Sequence, residues 1–314
     1  MKKLMLALPV AAALATAFAQ EPAPAAETPA NETKTEELSA EDKADQAAEL
    51  EESDDSGFWF EAGVDVLSDY MWRGVILNDN WCWQPSVSFG YNTEDLGGIY
   101  FNYWGSYDFT HRRNSIPGGG NSRMRGGVQE DDFYLGYTKS FGDFDFELGW
   151  YWYEYPNNGK YTGHCAGHLG CDLYAGVFYN NDYVTPGVEL LWACLNNHGH
   201  EPATAYVRFS AKHEFELCDS LTLTPKATLG VGDTAFVQNN TGNVRSNAGA
   251  HTEMTDQTSS LTLTYKVCDN FSLGVSANYT WIPSHTLRKD RYMTCGHDSR
   301  NQLFWGGFNA TVSF

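Results

Sequence analysis

Between Phe271 and Trp281 every odd-numbered residue is apolar and every even-numbered residue is small or polar. Period-two alternation sends successive side chains to opposite faces of a strand and is incompatible with a helix. Eleven residues is long for a sandwich strand and matches a tilted membrane-crossing strand of roughly 9 to 11 residues. The same period runs through 143–152, 221–229 and 261–267. Strands of this kind conceal their lipid face from any average. The mean hydropathy of -0.43 and net charge of -20 therefore do not define a soluble acidic protein. After the first twenty residues no run reaches the roughly 18 to 20 apolar residues of a spanning helix, which excludes a helical membrane protein. The acidic balance argues against nucleic acid as a partner, because phosphate affinity comes mainly from Lys and Arg.

Applied along the chain, the pattern predicts an all-β fold. About twelve strands, with 10 to 14 admissible, fall near 58–68, 83–91, 98–107, 130–140, 143–155, 171–179, 183–195, 204–217, 220–232, 257–267, 270–282 and 302–314. Short links at 92–97, 142, 180–182, 218–220 and 268–270 alternate with long ones at 70–82, 108–129, 156–170, 196–203, 233–256 and 283–301. Short turns on one side and long loops on the other are the arrangement of an outer-membrane barrel with the short side periplasmic. An even strand count puts both barrel ends in the periplasm. The partners implied are outer-membrane lipid, small solutes and, through a last strand ending at Phe314, the barrel assembly machinery.

Residues 1–19 read as a secretory signal peptide, with Lys2 and Lys3, an apolar stretch and a small-x-small site at Ala17-Phe18-Ala19. Residues 20–57 form an acidic Ala, Glu and Pro-rich spacer. Its 21–56 portion has thirteen acidic residues against Lys34 and Lys43, and no aromatic residue. Such a composition buries too little surface to offset the entropy of ordering, so disorder or partial helix is expected there, in the periplasm. The barrel is assigned to 58–314.

Parity then sorts the strand residues. Val64, Val87, Phe89, Phe101, Leu135, Phe144, Phe146, Leu148, Trp150 and Val275 fall on the lipid side, and Tyr100, Trp104, Tyr134, Tyr151, Tyr153 and Tyr174 on the inside. The inferred lumen carries Glu61, Asp65, Asp145, Glu147 and Glu189 on early strands and Arg208, Lys212, Lys226 and Lys266 on later ones. Opposed acidic and basic walls would set up a transverse field acting on dipolar solutes. Direct pairing and plugging of the lumen is the alternative, since a barrel little larger than eight strands is nearly filled by side chains.

Cysteines and histidines gather at the ends of the strands. Cys165 and Cys171 are a candidate disulfide. Within His164-Cys165-x-x-His168-x-x-Cys171 the residue types also suit a metal, although the spacing defines no second shell. Cys218 and Cys268 sit in two periplasmic turns about 9 to 10 Å apart at ~4.8 Å per strand, beyond the Cα separation of about 7 Å that a disulfide spans, so that a bridge between them would require the turns to flex. No cofactor is expected. A barrel lipid hydrolase or acyltransferase would need a nucleophile and a base together, yet no Gly-x-Ser-x-Gly occurs, and parity sends Ser210 and His213 to opposite faces.

The segment Gly63-Val-Asp-Val-Leu-Ser-Asp-Tyr-Met-Trp-Arg-Gly-Val75 resembles the Ser-Asp-Tyr-x-aromatic-Arg-Gly opening of Gcw_chp, also labelled TorF-type porin, a family of bacterial outer-membrane proteins without an assigned function. The hairpin 132–156 is similar to that family's next recurrent block. This chain differs in Asn78, where the family tends to have Gln nearby, in its acidic spacer and in its Cys-bearing loops. The resemblance implies a porin-like barrel and no particular solute. In the motif, Ser68, Asp69 and Tyr70 would end the first strand, with Asp69 satisfying turn amides. Tyr70 and Trp72 have the character of an interfacial belt, and Arg73, before Gly74, could turn back into the barrel mouth to meet an acidic residue. The expected function is a channel for passive diffusion of small hydrophilic solutes, from a monomer or weak oligomer. The alternative is a non-conducting structural or adhesive barrel acting through its long loops.

Overall fold

The computed structural model describes residues 57–78, 80–108, 130–154, 170–193, 203–239, 251–284, 286–287 and 301–314. The leader, the spacer and the His164–His168 stretch lie outside the described residues. The strands are β1 (Gly57–Leu67), β2 (Tyr70–Trp72), β3 (Val75–Asn78), β4 (Cys82–Thr93), β5 (Gly97–Asp108), β6 (Glu130–Phe141), β7 (Phe144–Glu154) and β8 (Gly170–Tyr179). They continue with β9 (Thr185–Ala193), β10 (Thr204–Lys212), β11 (Phe215–Cys218), β12 (Leu221–Gly232), β13 (Glu253–Cys268), β14 (Phe271–Trp281) and β15 (Gln302–Ser313). One short helix, α1 (Thr234–Asn239), follows β12.

All strands except β2 and β3 belong to one antiparallel sheet that closes on itself. Since β10 and β11 both pair with β12 and are separated only by His213 and Glu214, the ring has twelve strand positions, the number expected. The first and last strands meet in register from Glu61↔Ser313 to Leu67↔Gly307. Reciprocal backbone bonds, Phe60 N–H to Phe314 O at 3.0 Å and Phe314 N–H to Phe60 O at 2.9 Å, fasten the seam. Closure leaves no edge, and an unpaired backbone group in hydrocarbon would cost on the order of several kcal/mol.

The outer surface explains why the chain needs a bilayer. Phe304, Phe308 and Phe314 are 77%, 62% and 71% exposed, and Leu148, Val188, Leu261, Leu273 and Val275 are exposed with them. A continuous apolar exterior of this kind is unsupportable in water. Outward aromatics gather near both ends of the strands. Phe144 and Tyr179 lie 5.0 Å apart near the short turns, whereas Trp83 stacks on Tyr107 at 5.0 Å and Tyr279 meets Phe304 at 4.7 Å near the long loops. Two girdles around an aliphatic band mark the two membrane interfaces.

Two long links hold more structure than expected. The 70–82 link contains the β2–β3 hairpin, a separate two-stranded sheet. The 233–256 link contains α1, capped by Asp233, whose side chain accepts from Phe236 N–H at 2.6 Å, and it ends in the 16-residue β13. Both segments turn inward.

Candidate functional site: the barrel lumen

The β2–β3 turn has φ of 46° at Arg73 and 85° at Gly74. A two-residue hairpin turn with both central residues left-handed matches the twist of its strands, and Gly74 adopts it freely whereas Arg73 does so at a cost. The compensation lies across the barrel. Arg73 Nη1 is 2.8 Å from Asp172 Oδ2 on β8, and Arg73 Nη2 donates to Tyr153 Oη on β7 at 2.9 Å. Tyr153 in turn donates to Asp172 at 2.9 Å. The guanidinium also lies 4.4 Å from the Trp72 ring and 5.5 Å from that of Tyr206 on β10. A Cβ on Gly74 would sit 3.1 Å from the Thr255 carbonyl oxygen of β13, so the tip also abuts that wall. The hairpin thus leaves the sheet between β1 and β4, enters the lumen and reaches the walls formed by β7, β8, β10 and β13.

Its base is equally fixed. Tyr70 donates to Glu130 Oε2 at 2.9 Å and lies 5.3 Å from Trp104. Val75 packs with Ile282 and Leu287, and Ile76 with Leu303. From the opposite side Phe236 of α1 meets Trp72 at 6.1 Å and Tyr206 at 5.3 Å. The expectation of an interfacial role for Tyr70 and Trp72 is therefore corrected. Both face the lumen, because the hairpin folds inward and the buried Glu130 supplies the acceptor that water would otherwise provide. Ser68 is bonded to its neighbour Asp69 at 2.8 Å and to Gly306 N–H at 3.2 Å, tying the first loop to β15.

Below the hairpin, tyrosines surround a carboxylate. Glu147 Oε1 accepts from Tyr100 and, at 2.9 Å, from Tyr134. The Tyr174 hydroxyl is 3.1 Å from Glu147 Oε2 and 3.0 Å from Glu189 Oε1, and can donate to one at a time. Glu189 is gripped by Arg208 through Nε at 2.6 Å and Nη2 at 2.5 Å, a bidentate pair between adjacent strands β9 and β10. Tyr134 stacks on Tyr151 at 4.3 Å. Gly149 is required here, because a Cβ would collide with the Tyr134 ring.

The other inferred lumen charges are dispersed. Glu61 and Asp65 lie on β1 with the inward parity of Gly63. Asp145 accepts from Ser140 at 2.5 Å and Asn180 at 2.5 Å near the short turns. Lys212 is 3.2 Å from Glu214, and Lys266 is 2.8 Å from Asp269. The Lys266 bond holds the Asp269 carboxyl, in its turn, below the usual carboxylate range. Lys226 lies cross-strand from Lys212. The expected opposition of acidic and basic walls is thus only partial, since Glu189 and Arg208 neutralise one another as neighbours.

Bulk, more than charge, divides the lumen. On β5 to β10 the inward residues include Tyr100, Tyr134, Tyr151, Tyr153, Tyr174 and Tyr206. On β12 to β15, β1 and β4 many are small, among them Thr224, Thr228, Thr262, Ser272, Ser276, Gly63, Ser86 and Ser88, although Trp59 and Trp305 also face inward there, Trp59 6.0 Å from Tyr100 and Trp305 donating to Thr280 at 3.1 Å.

Sequence reasoning missed Asp172, Glu130 and Asp256, the last of which accepts from Tyr206 at 3.2 Å. Parity could have exposed Asp172, two residues before inward Tyr174, and Glu130, four before Tyr134. Among the described residues no group of three or more His, Cys, Asp or Glu is arranged to hold a metal ion. Cys171 is the second residue of β8, but its candidate partner Cys165 lies outside the described residues, as do His164 and His168. Cys218 and Cys268 are exposed free thiols. His213 stands at the β10–β11 break with its ring 4.3 Å from Phe215.

A closed antiparallel barrel with an apolar belt, paired chain ends and a first loop folded into its lumen defines a membrane-spanning barrel of the outer-membrane type. Within that class the chain belongs to the Gcw_chp family, described as bacterial protein of unknown function, whose model matches residues 51–278. That description bears the first of the two expected labels and does not mention TorF. No curated protein matches the chain. Among solved structures it is similar to the KdgM porin, at 9% identity and a TM-score of 0.41 over 82% of this chain and 99% of that one. It is similar to the NanC porin, at 10% identity and 0.42 over 82% and 99%. It is also similar to OmpT, an outer-membrane protein of Vibrio cholerae, at 9% and 0.36 over 82% and 97%.

Proposed function

We propose that the protein is a porin-like channel through which small hydrophilic solutes diffuse passively, along a passage displaced to one side of the barrel. The observation that carries this reading is the division of the lumen by bulk. Tyrosines and their carboxylates occupy the β5–β10 wall, while hydroxyls and glycines make up much of the β12–β4 side, with Trp59 and Trp305 its bulky exceptions. A wall of small polar groups holds water against the sheet and leaves width for a solute. The hairpin narrows the extracellular half of this route, so the expected conductance is small. Planar-bilayer recording of the folded, purified protein tests the reading, with discrete channel steps expected.

A second reading, a non-conducting barrel, is favoured by the burial of Val75, Ile76, Ile282 and Leu287 between hairpin and wall. Absence of steps from folded protein, including protein in which Arg73 is replaced, would select that reading and reject the channel.

A further inference from the structure

Lys212 of β10 and Lys226 of β12 are directly opposite one another in an unbroken register that runs from Tyr206↔Gly232 to Lys212↔Lys226. Side chains so paired start from Cβ atoms about 4.5 to 5.5 Å apart, and like charges there are destabilising. A register this long cannot slip to relieve them without turning every side chain to the other face.

The surroundings supply only a shared counter-charge, Glu189, which acts on Lys226 but is already bonded to Arg208. Arg208, the nearest inward cation on β10, is committed to Glu189. Lys212 meets Glu214 at 3.2 Å, but both side chains are about half exposed, and such a pair is weak and readily exchanged. No ion pair or hydrogen bond reaches Lys226 among the described residues. The row through these lysines, followed from strand to strand, reads Thr185, Lys212, Lys226, Ser260 and Asn278. Every member can donate a hydrogen bond, and none is a carboxylate.

We propose that Lys212 and Lys226 form an oxyanion-binding subsite in the lumen wall, which takes a carboxylate or phosphate group of a small solute between two ammonium groups, flanked by the Ser260 and Thr185 hydroxyls. The bound oxyanion converts a repulsive cross-strand pair into two attractive, charge-assisted contacts. The subsite deepens the channel reading by naming the charge of the solute, and rests on that reading for passage through the barrel. Occupancy itself does not depend on it.

The test uses the full mature chain folded in detergent micelles, with inorganic phosphate as the probe and 31P line broadening as the readout. Saturable broadening is expected, and Lys226→Gln should weaken it by about tenfold, the loss of one charged hydrogen bond. Lys139→Gln, on the outward face of β6, should leave it unchanged. Acetate should displace phosphate, and a phosphate signal that acetate leaves intact would overturn the shared oxyanion chemistry. Lys226→Glu replaces the repulsive pair with an attractive one, so it should raise Tm in phosphate-free buffer and remove the stabilisation that phosphate gives the wild type. Heat-modifiable gel mobility verifies folding of each variant. Wild-type protein without broadening, or Lys226→Gln with undiminished broadening, would overturn the subsite. Loss of channel steps with phosphate binding intact would reject only the channel.

Discussion

Arg73, at the tip of a hairpin in the first loop, forms an ion pair of 2.8 Å with Asp172, near the long-loop end of β8, with side-chain exposures of only 11% and 6%. The pair joins a loop that starts beside the barrel seam to a wall several strands away. Burial this deep makes each partner depend on the other, because either charge alone would be left desolvated and uncompensated.

Arg73→Ala should therefore release the hairpin. The expected loss of stability is about 3 to 5 kcal/mol, the range for removing one member of a buried pair. Thermal unfolding measures that loss, and bilayer recording should show larger steps. Asp172→Asn should have the same direction of effect, and a wild-type step size in both variants would separate the hairpin from the conducting path.

A bulky substitution on the hydroxyl side should block conduction without unfolding the barrel. Ser276 lies on the inward face of β14, opposite Gly307 and Thr262. Ser276→Trp is expected to reduce step size sharply, whereas Val275→Trp, one residue away on the lipid face, should not. Equal reduction by both would refute the assigned facing.

The tyrosine wall should resist even one added methyl group. Gly149→Ala drives a Cβ into the Tyr134 ring and disturbs its bond to Glu147, so a destabilisation of about 1 to 3 kcal/mol is expected. Thermal melts of folded protein measure it.

Thiol accessibility reports orientation. Cys218 and Cys268 are exposed in adjacent turn regions at the short-turn end, and Cys82 is fully buried. A membrane-impermeant maleimide should label the first two in purified barrels but not from outside intact cells, while Cys82 should react only after unfolding. Labelling of Cys218 on intact cells would invert the assigned topology.

The strands were legible in the sequence because each obeys a local rule. Phe271–Trp281 shows its two faces by alternation alone, and the short turns declare themselves by length. The hairpin was not legible, because Tyr70, Trp72 and Val75 look the same whether they face lipid or lumen. What sends them inward is Glu130, Phe236 and Ile282, which the chain brings near only after the barrel closes. Arg73 carried a hint in its charge, but its partner Asp172 sits almost a hundred positions on and belongs to no local pattern. Charge pairing failed in a related way. Parity assigns a residue to the lumen, yet only strand order makes Glu189 a neighbour of Arg208 instead of its opposite.

The reciprocal bonds between Phe60 and Phe314 have a temporal meaning as well. Every other pairing in the ring joins strands that follow one another in the chain, apart from the detour around the first-loop hairpin and the β10–β11 break, and so can form as hairpins while synthesis and export proceed. The β14–β15 and β1–β15 contacts both wait for β15, but only the second must close a loop over the whole barrel, which makes it the slowest to form. Until then both rims of the curved sheet stay open to hydrogen bonding. Closure of the ring is therefore set by its last strand.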